Sequence, residues 1–201
     1  MLVQTLIKRR EEYPMFVLYA VVLGILIGYI SGGRIKYLSR RPFKYLLLVI
    51  TGFLIQIIIF SDIPIFKLLQ NYPKVIITLH ILSYVLILAF IVINFKLPGI
   101  AFIGIGVLLN AIVIILNKGH MPASIKSFEN SLVGKYADLI SRGETINNSK
   151  AIADDTILPW LGDIFAIPSH IPLSNVFSIG DIIIAIGVCI YFALNMKPAE
   201  Q

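Results

Sequence analysis

Apolar residues run along this chain in long windows that no charge interrupts. Residues 13–33, 75–95 and 97–117 each give 21 positions without Asp, Glu, Lys or Arg, and residues 45–61 give 17. About 20 residues at 1.5 Å rise cross the ~30 Å hydrocarbon core of a bilayer as a helix. Alternation of period two is absent, which argues against a membrane β-barrel. A fifth window, 182–196, has 15 residues and is too short alone. Extending it back to Val176 restores the length and places Asp181 inside it. The pattern predicts spans near 14–32, 44–61, 75–95, 97–117 and 176–195, in one membrane domain over 1–201.

Between the fourth and fifth windows lies one long connection, 118–175, holding six of the eleven acidic residues. Ile125, Phe128, Leu132, Tyr136 and Leu139 recur at spacings of three and four, which predicts a surface helix with Ser124 as N-cap. Residues 142–153 are polar and read as a loop. Residues 157–173 are apolar again, but Pro159, Pro168 and Pro172 forbid a continuous helix. A folded connector that dips toward the membrane is expected, with Trp160 at the interface where indole rings settle.

Composition agrees with this pattern. Hydrophobic residues make up 58 % and charged residues 14 %, against about 25 % charged in a soluble domain. So much apolar surface disfavours disorder, so few charges disfavour an ordinary soluble globule, and the single cysteine, Cys189, rules out a disulfide scaffold. The predicted class is an all-α polytopic helix bundle in the bacterial cell membrane. Its orientation follows from Lys and Arg. Arg34, Lys36, Arg40, Arg41 and Lys44 crowd the first loop, against Lys8, Arg9 and Arg10 before the first window. The larger group is expected inside, which puts 118–175 outside and the C-terminus in the cytoplasm. Residues 1–12 read as a surface helix or as an artefact of start-site choice. The window after Lys8–Arg10 is too long for a signal-peptide core, and no small-residue cleavage site follows it. The net charge of +6 suits anionic headgroups better than nucleic acid.

Polar residues inside apolar windows carry the candidate chemistry, because each is costly in lipid. Gln56 and His80 are expected to make hydrogen bonds between helices, and Gly24 with Gly28 to form a helix-packing GxxxG. Asn110 and Asn117, seven apart, share a helix face and are expected to point inward near the fifth span. With His120 and Trp160 they form the candidate ligand-binding set. His80, His120 and His170 lack ligand spacing, so no metal is expected, and no cofactor motif is present. Partners are expected to be the bilayer and a membrane-protein partner or a second copy of the chain.

Four segments carry a resemblance. They are Gly32-Gly-Arg34, Asn117-Lys-Gly-His-Met-Pro122, Leu161-Gly-Asp163 and Phe177-Ser-Ile-Gly-Asp181. The chain from about Met15 onward resembles a bacterial family of small five-span membrane proteins catalogued as a domain of unknown function. It departs from that pattern at Lys118, where glycine is usual. The resemblance implies a fold and no activity. The last span also resembles, more distantly, the final span of type II lipoprotein signal peptidases. There an Asp closes a Phe-Asn-x-Ala-Asp motif at the outer end of the helix, and a partner Asp lies somewhat under twenty residues upstream. Ser178 and Gly180 depart from that motif, and Asp163 precedes Asp181 by 18 residues. That resemblance implies a catalytic pair, Asp163 and Asp181, in which one carboxylate activates water and the other protonates the scissile carbonyl.

Three functions stay open from the sequence. The first is a non-enzymatic binding, accessory or assembly module with its working face at the outer surface. The second is a membrane-embedded aspartic peptidase. The third is an ion- or proton-coupled transport component.

Overall fold

The computed structural model describes residues 16–60 and 68–198; residues 1–12 lie outside the described part. Five apolar helices dominate it: α1 (Phe16–Ile30), α2 (Leu46–Phe60), α3 (Pro73–Ile93), α4 (Ile100–Leu116) and, last in the chain, α7 (Ile179–Asn195). Among the described residues the regular structure is helical apart from four very short strands. Among the described residues one helix, α3, is long and apolar enough to cross a membrane by length and composition. The other four have 15 to 17 residues.

The helices stand in the spatial order α1, α7, α4, α3, α2, with α1 parallel to α7, since Gly24 lies at Cys189 and Gly28 at Met196. Glycine makes the tight pairs possible. Gly24 and Gly28 lay α1 directly on Cys189, Phe192 and Met196 of α7. Gly106 of α4 and Gly180 of α7 face each other so closely that a Cβ on Gly106 would stand 2.7 Å from Ile184 Cγ1 and 2.9 Å from its backbone nitrogen. Between α2 and α3, Gln56 Nε2 donates to Ser83 Oγ at 3.0 Å. His80 Nδ1 lies 3.2 Å from the Gly119 carbonyl oxygen, which ties α3 to the chain just beyond α4. Packed apolar side chains fill the middle, centred on Ile87, Phe90, Ile91, Ile100, Val107 and Tyr191. Large apolar residues such as Leu47, Phe53, Val85, Ile105 and Ile186 face outward around the bundle.

One end of the bundle is basic. The loop after α1 forms a 3-10 turn over Ile35–Arg40, in which Arg40 and Lys36 flank the Tyr37 ring. Lys44 and Asn94 exchange two hydrogen bonds, of 2.8 and 2.9 Å, joining the α1–α2 and α3–α4 loops. Arg34 N donates to the Met196 carbonyl at 2.7 Å and brings in the end of α7.

The other end is closed by a cap made from residues 118–175. The stripe expected as one surface helix is three short pieces: α5 (Ile125–Glu129), a 3-10 turn over Leu132–Tyr136, and α6 (Ala137–Ser141). Ser124 does cap the first, its side chain accepting from Ser127 N. Ser131 then caps the second from an extended conformation, which breaks the run. The break shifts the buried face: Phe128 of the expected stripe is joined by Val133, Ala137 and Ile140 around Ala123, while Leu132 is exposed. Strands replace part of the expected loop. β1 (Met121–Ala123) pairs in parallel with β2 (Ser149–Ala151), and β3 (Phe165–Ala166) pairs antiparallel with β4 (Val176–Phe177). Pro122 therefore lies in a strand and is not the end of α4. That helix stops earlier, at Leu116, because Lys118 and Gly119 both take left-handed φ values of +59° and +91°.

Candidate functional site

The acidic residue opening α7 is built into its start. Ser178 is the N-cap and Asp181 the third helical residue, and the two form a reciprocal capping box. Ser178 N donates to Asp181 Oδ2 at 2.9 Å, and Asp181 N donates to Ser178 Oγ at 3.1 Å. Two backbone donors that the helix leaves without a partner are thereby satisfied. The carboxylate also offsets the partial positive charge of the helix N-terminus.

Asn110 reaches this box from α4. Its Nδ2 donates to Asp181 Oδ1 at 2.9 Å. The Ser178 hydroxyl lies 3.0 Å from Asn110 Oδ1 and 2.8 Å from Asp181 Oδ2, and its single proton can serve either. Asn110 and Ser178 are buried. Both Asp181 oxygens thus accept hydrogen bonds from groups that hold the α4–α7 pair in register.

Asn110 stands six residues before the end of α4, about 9 Å below it at 1.5 Å per residue. The start of α7 is therefore set into the bundle. The notch above it is filled by the cap, where a 3-10 turn over Pro159–Leu161 seats Leu161 against Val113, Ile114 and Met121.

Asp163 follows that turn. Its backbone is fixed on both sides, Asp163 N donating to the Pro122 carbonyl at 2.8 Å and Ser124 N to the Asp163 carbonyl at 3.0 Å. Its side chain keeps a sliver of exposed surface although protein surrounds the carboxyl group. Ser149 Oγ lies 3.4 Å from Asp163 Oδ2, at the long limit of a hydrogen bond. Burial and the Asp181 charge raise the Asp163 carboxyl to about 8, with the Ser149 hydroxyl opposing in part. The two acids that the sequence pairs are brought within electrostatic reach of each other, and the hydroxyl of Tyr84 on α3 feels both.

The remaining candidates separate. Asn117 does not face α7. Its Oδ1 accepts from Ile157 N at 3.0 Å, and its Nδ2 donates to Ile157 O at 2.8 Å and to Val113 O at 2.7 Å. It clamps the cap to the end of α4, because α4 has already ended there and the shared helix face no longer applies. His120 is half-buried beside Lys150, and burial and that lysine both lower its pKa. Trp160 is 56 % exposed on the cap turn. Among the described residues no group of three or more His, Cys, Asp or Glu could hold a metal ion.

Sequence reasoning missed Ser178 as a member of the cluster, although a serine three residues before Asp181 is a capping signal. It also missed Ser149 and Tyr84, which only the folding of the cap brings near.

The chain matches a family model over residues 40–193. An uncharacterised protein of Thermotoga maritima is 29 % identical over 187 residues, covering 92 % of this chain and 90 % of the relative. No solved structure matches. The chain belongs to the family of unknown function DUF5317.

Proposed function

We propose that this is a five-span membrane protein acting as a non-enzymatic binding, accessory or assembly module, with the cap as its outward working face. The exposed apolar belt supports the spans, since side chains such as Leu47 and Val92 at 75 % and 72 % exposure have no reason to face water. The observation carrying the module reading is the occupation of Asp181. Both its oxygens are engaged by Asn110, Ser178 and the helix N-terminus, which is how a register-locking acceptor is held. The test is Asp181→Asn in lipid nanodiscs. A locking role predicts a loss of about 1–3 kcal/mol, the cost of breaking hydrogen bonds to a charged group. An unchanged or raised stability would overturn the reading, since acids kept for chemistry are held at a cost to the fold.

The approach of Asp163 supports a second reading, a membrane-embedded aspartic peptidase. Asp163, held protonated, would donate to the scissile carbonyl oxygen while Asp181 takes a proton from the attacking water. The tetrahedral intermediate would then collapse with cleavage of its C–N bond, the leaving amine taking the proton from Asp181 and the hydroxyl oxygen returning its proton to Asp163. This reading predicts that Asp163→Asn leaves the fold intact and abolishes release of new N-termini from membrane-anchored polypeptides. Release unchanged by that substitution would exclude it.

A further inference from the structure

The loop between α1 and α2 crosses the whole basic end of the bundle. Those two helices stand at opposite ends of the row, so residues 31–45 must pass α7 and α3 to join them. The run is anchored along its way. Arg34 N donates to the Met196 carbonyl at 2.7 Å and Arg41 Nη1 to Asn195 Oδ1 at 3.4 Å, both at the end of α7. The Phe43 ring stacks 5.1 Å from Tyr191 of α7 and lies 5.3 Å from Phe90 of α3. Lys44 is then held through its backbone by the Asn94 side chain, just past α3. The loop is a strap fixed to the bundle, not a free connection.

This strap has two faces. Leu38 and Phe43 pack inward on the core. Arg34, Lys36, Arg40 and Lys44 are exposed, and Lys96 and Lys197 bring two more exposed bases from the neighbouring chain ends. Lys36 and Arg40 stand 5.4 and 4.7 Å from the centre of the Tyr37 ring. Among the described residues none of these six bases has an ion pair with an acid. An insertion bias needs only a count of positive charges, which an unfolded loop supplies equally well. It gives no reason for holding them on the outer side of an anchored strap. Exposed apolar side chains also stand beside the bases in the chain: Ile35 between Arg34 and Lys36, Tyr45 after Lys44, and Phe95 before Lys96. Cations interleaved with apolar groups at the end of a bundle match the chemistry of a lipid surface, with phosphate above and acyl chain below.

We propose that the strap is a docking face for anionic phospholipid headgroups, with Lys36, Arg40 and Lys44 holding the phosphates. The inference rests on the membrane reading given above and adds to it a preference among lipids. Each base at such a surface contributes about fivefold in affinity for an anionic lipid.

The test adds phosphatidylglycerol or phosphatidylcholine to the full chain in detergent and counts retained lipid by native mass spectrometry. Phosphatidylglycerol should be held at least about tenfold more tightly. The double variant Lys36→Gln, Arg40→Gln should lose most of that preference. The double variant Lys126→Gln, Lys150→Gln makes the same change of charge on the cap and should keep it. A wild-type chain with no preference, or equal losses in the two double variants, would overturn the strap as a site. Should the strap variant not fold, hydrogen exchange in the wild-type chain decides: backbone amides of residues 35–41 should exchange severalfold more slowly in phosphatidylglycerol nanodiscs than in phosphatidylcholine nanodiscs, and equal rates overturn the proposal. A chain that does not enter phosphatidylcholine nanodiscs fails the membrane reading and the strap together, whereas one that enters and shows no preference fails the strap alone.

Discussion

Ser178 does three things with one hydroxyl: it caps α7, it contacts Asp181, and it contacts Asn110 of α4. Removing it leaves the first turn of the helix and a buried amide oxygen short of partners. Ser178→Ala should destabilise the protein by about 2–3 kcal/mol, the sum of a lost cap at about 1 kcal/mol and an unsatisfied buried acceptor at about 1–3 kcal/mol, less what relaxation recovers. Thermal unfolding in detergent checks this, and a loss below about 0.5 kcal/mol would mean that Asn110 finds another donor. Asp181 could be singled out from sequence because an acid inside an apolar window is rare and costly. Its true partners could not, because Asn110 lies 71 positions away and only helix packing chooses among distant polar residues.

At the scale of elements, α4 and α7 meet through bare backbone. Gly106→Ala would push a methyl group against the main chain of Gly180 and Ile184, and it should cost about 1–3 kcal/mol, as overpacking does. Gly104→Ala is the comparison, since its new methyl would meet one side-chain atom, Cγ2 of the buried Ile91 at 2.7 Å, and no main chain; it should cost less than Gly106→Ala, because a side chain can shift where a packed backbone cannot. Equal effects from both substitutions would show that α4–α7 contact is looser than the geometry implies. The small-residue spacing of Gly24 and Gly28 was visible in the sequence, and in the fold it marks the seat of α1 on α7. The cap was less legible. Its periodic apolar stripe identified the buried Phe128, but it named Leu132, which is exposed, and Leu139 where Val133 and Ile140 are the buried side chains, because the break at Ser131 was not foreseen. The strand pairing of residues 121–123 with 149–151 left no pattern to read, because three residues are too few to show a period.

Across the whole molecule, charge is uneven along the bundle axis. The basic end carries Arg34, Lys36, Arg40, Arg41, Lys44, Lys96 and Lys197 with no acid among its described residues, while the cap nearly balances six acids, Glu129, Asp138, Glu144, Asp154, Asp155 and Asp163, with five bases, Lys118, Lys126, Lys135, Arg142 and Lys150. The positive-inside bias predicts that the basic end faces the cytoplasm. In a Cys189→Ser background, Glu144→Cys on the cap should react with a membrane-impermeant maleimide in intact cells, and Ser39→Cys in the basic loop only after lysis. Both positions are exposed, so accessibility within the protein does not confuse the result. The opposite labelling pattern would invert the orientation and place the cap, with its acid pair, in the cytoplasm.

The sequence by itself determined the number of apolar helices, the basic loop after the first of them, and the residues whose presence in an apolar window demands a partner. These follow from composition within a window, which the chain carries locally. Tertiary structure alone decided that α7 starts beside Asn110 and not beside the end of α4, that Asn117 grips the cap, and that Asp163 is folded down toward Asp181. Each of those depends on how residues far apart in the chain fill one space, and spacing along the sequence does not encode that when close-packed glycines and proline-broken loops set the distances.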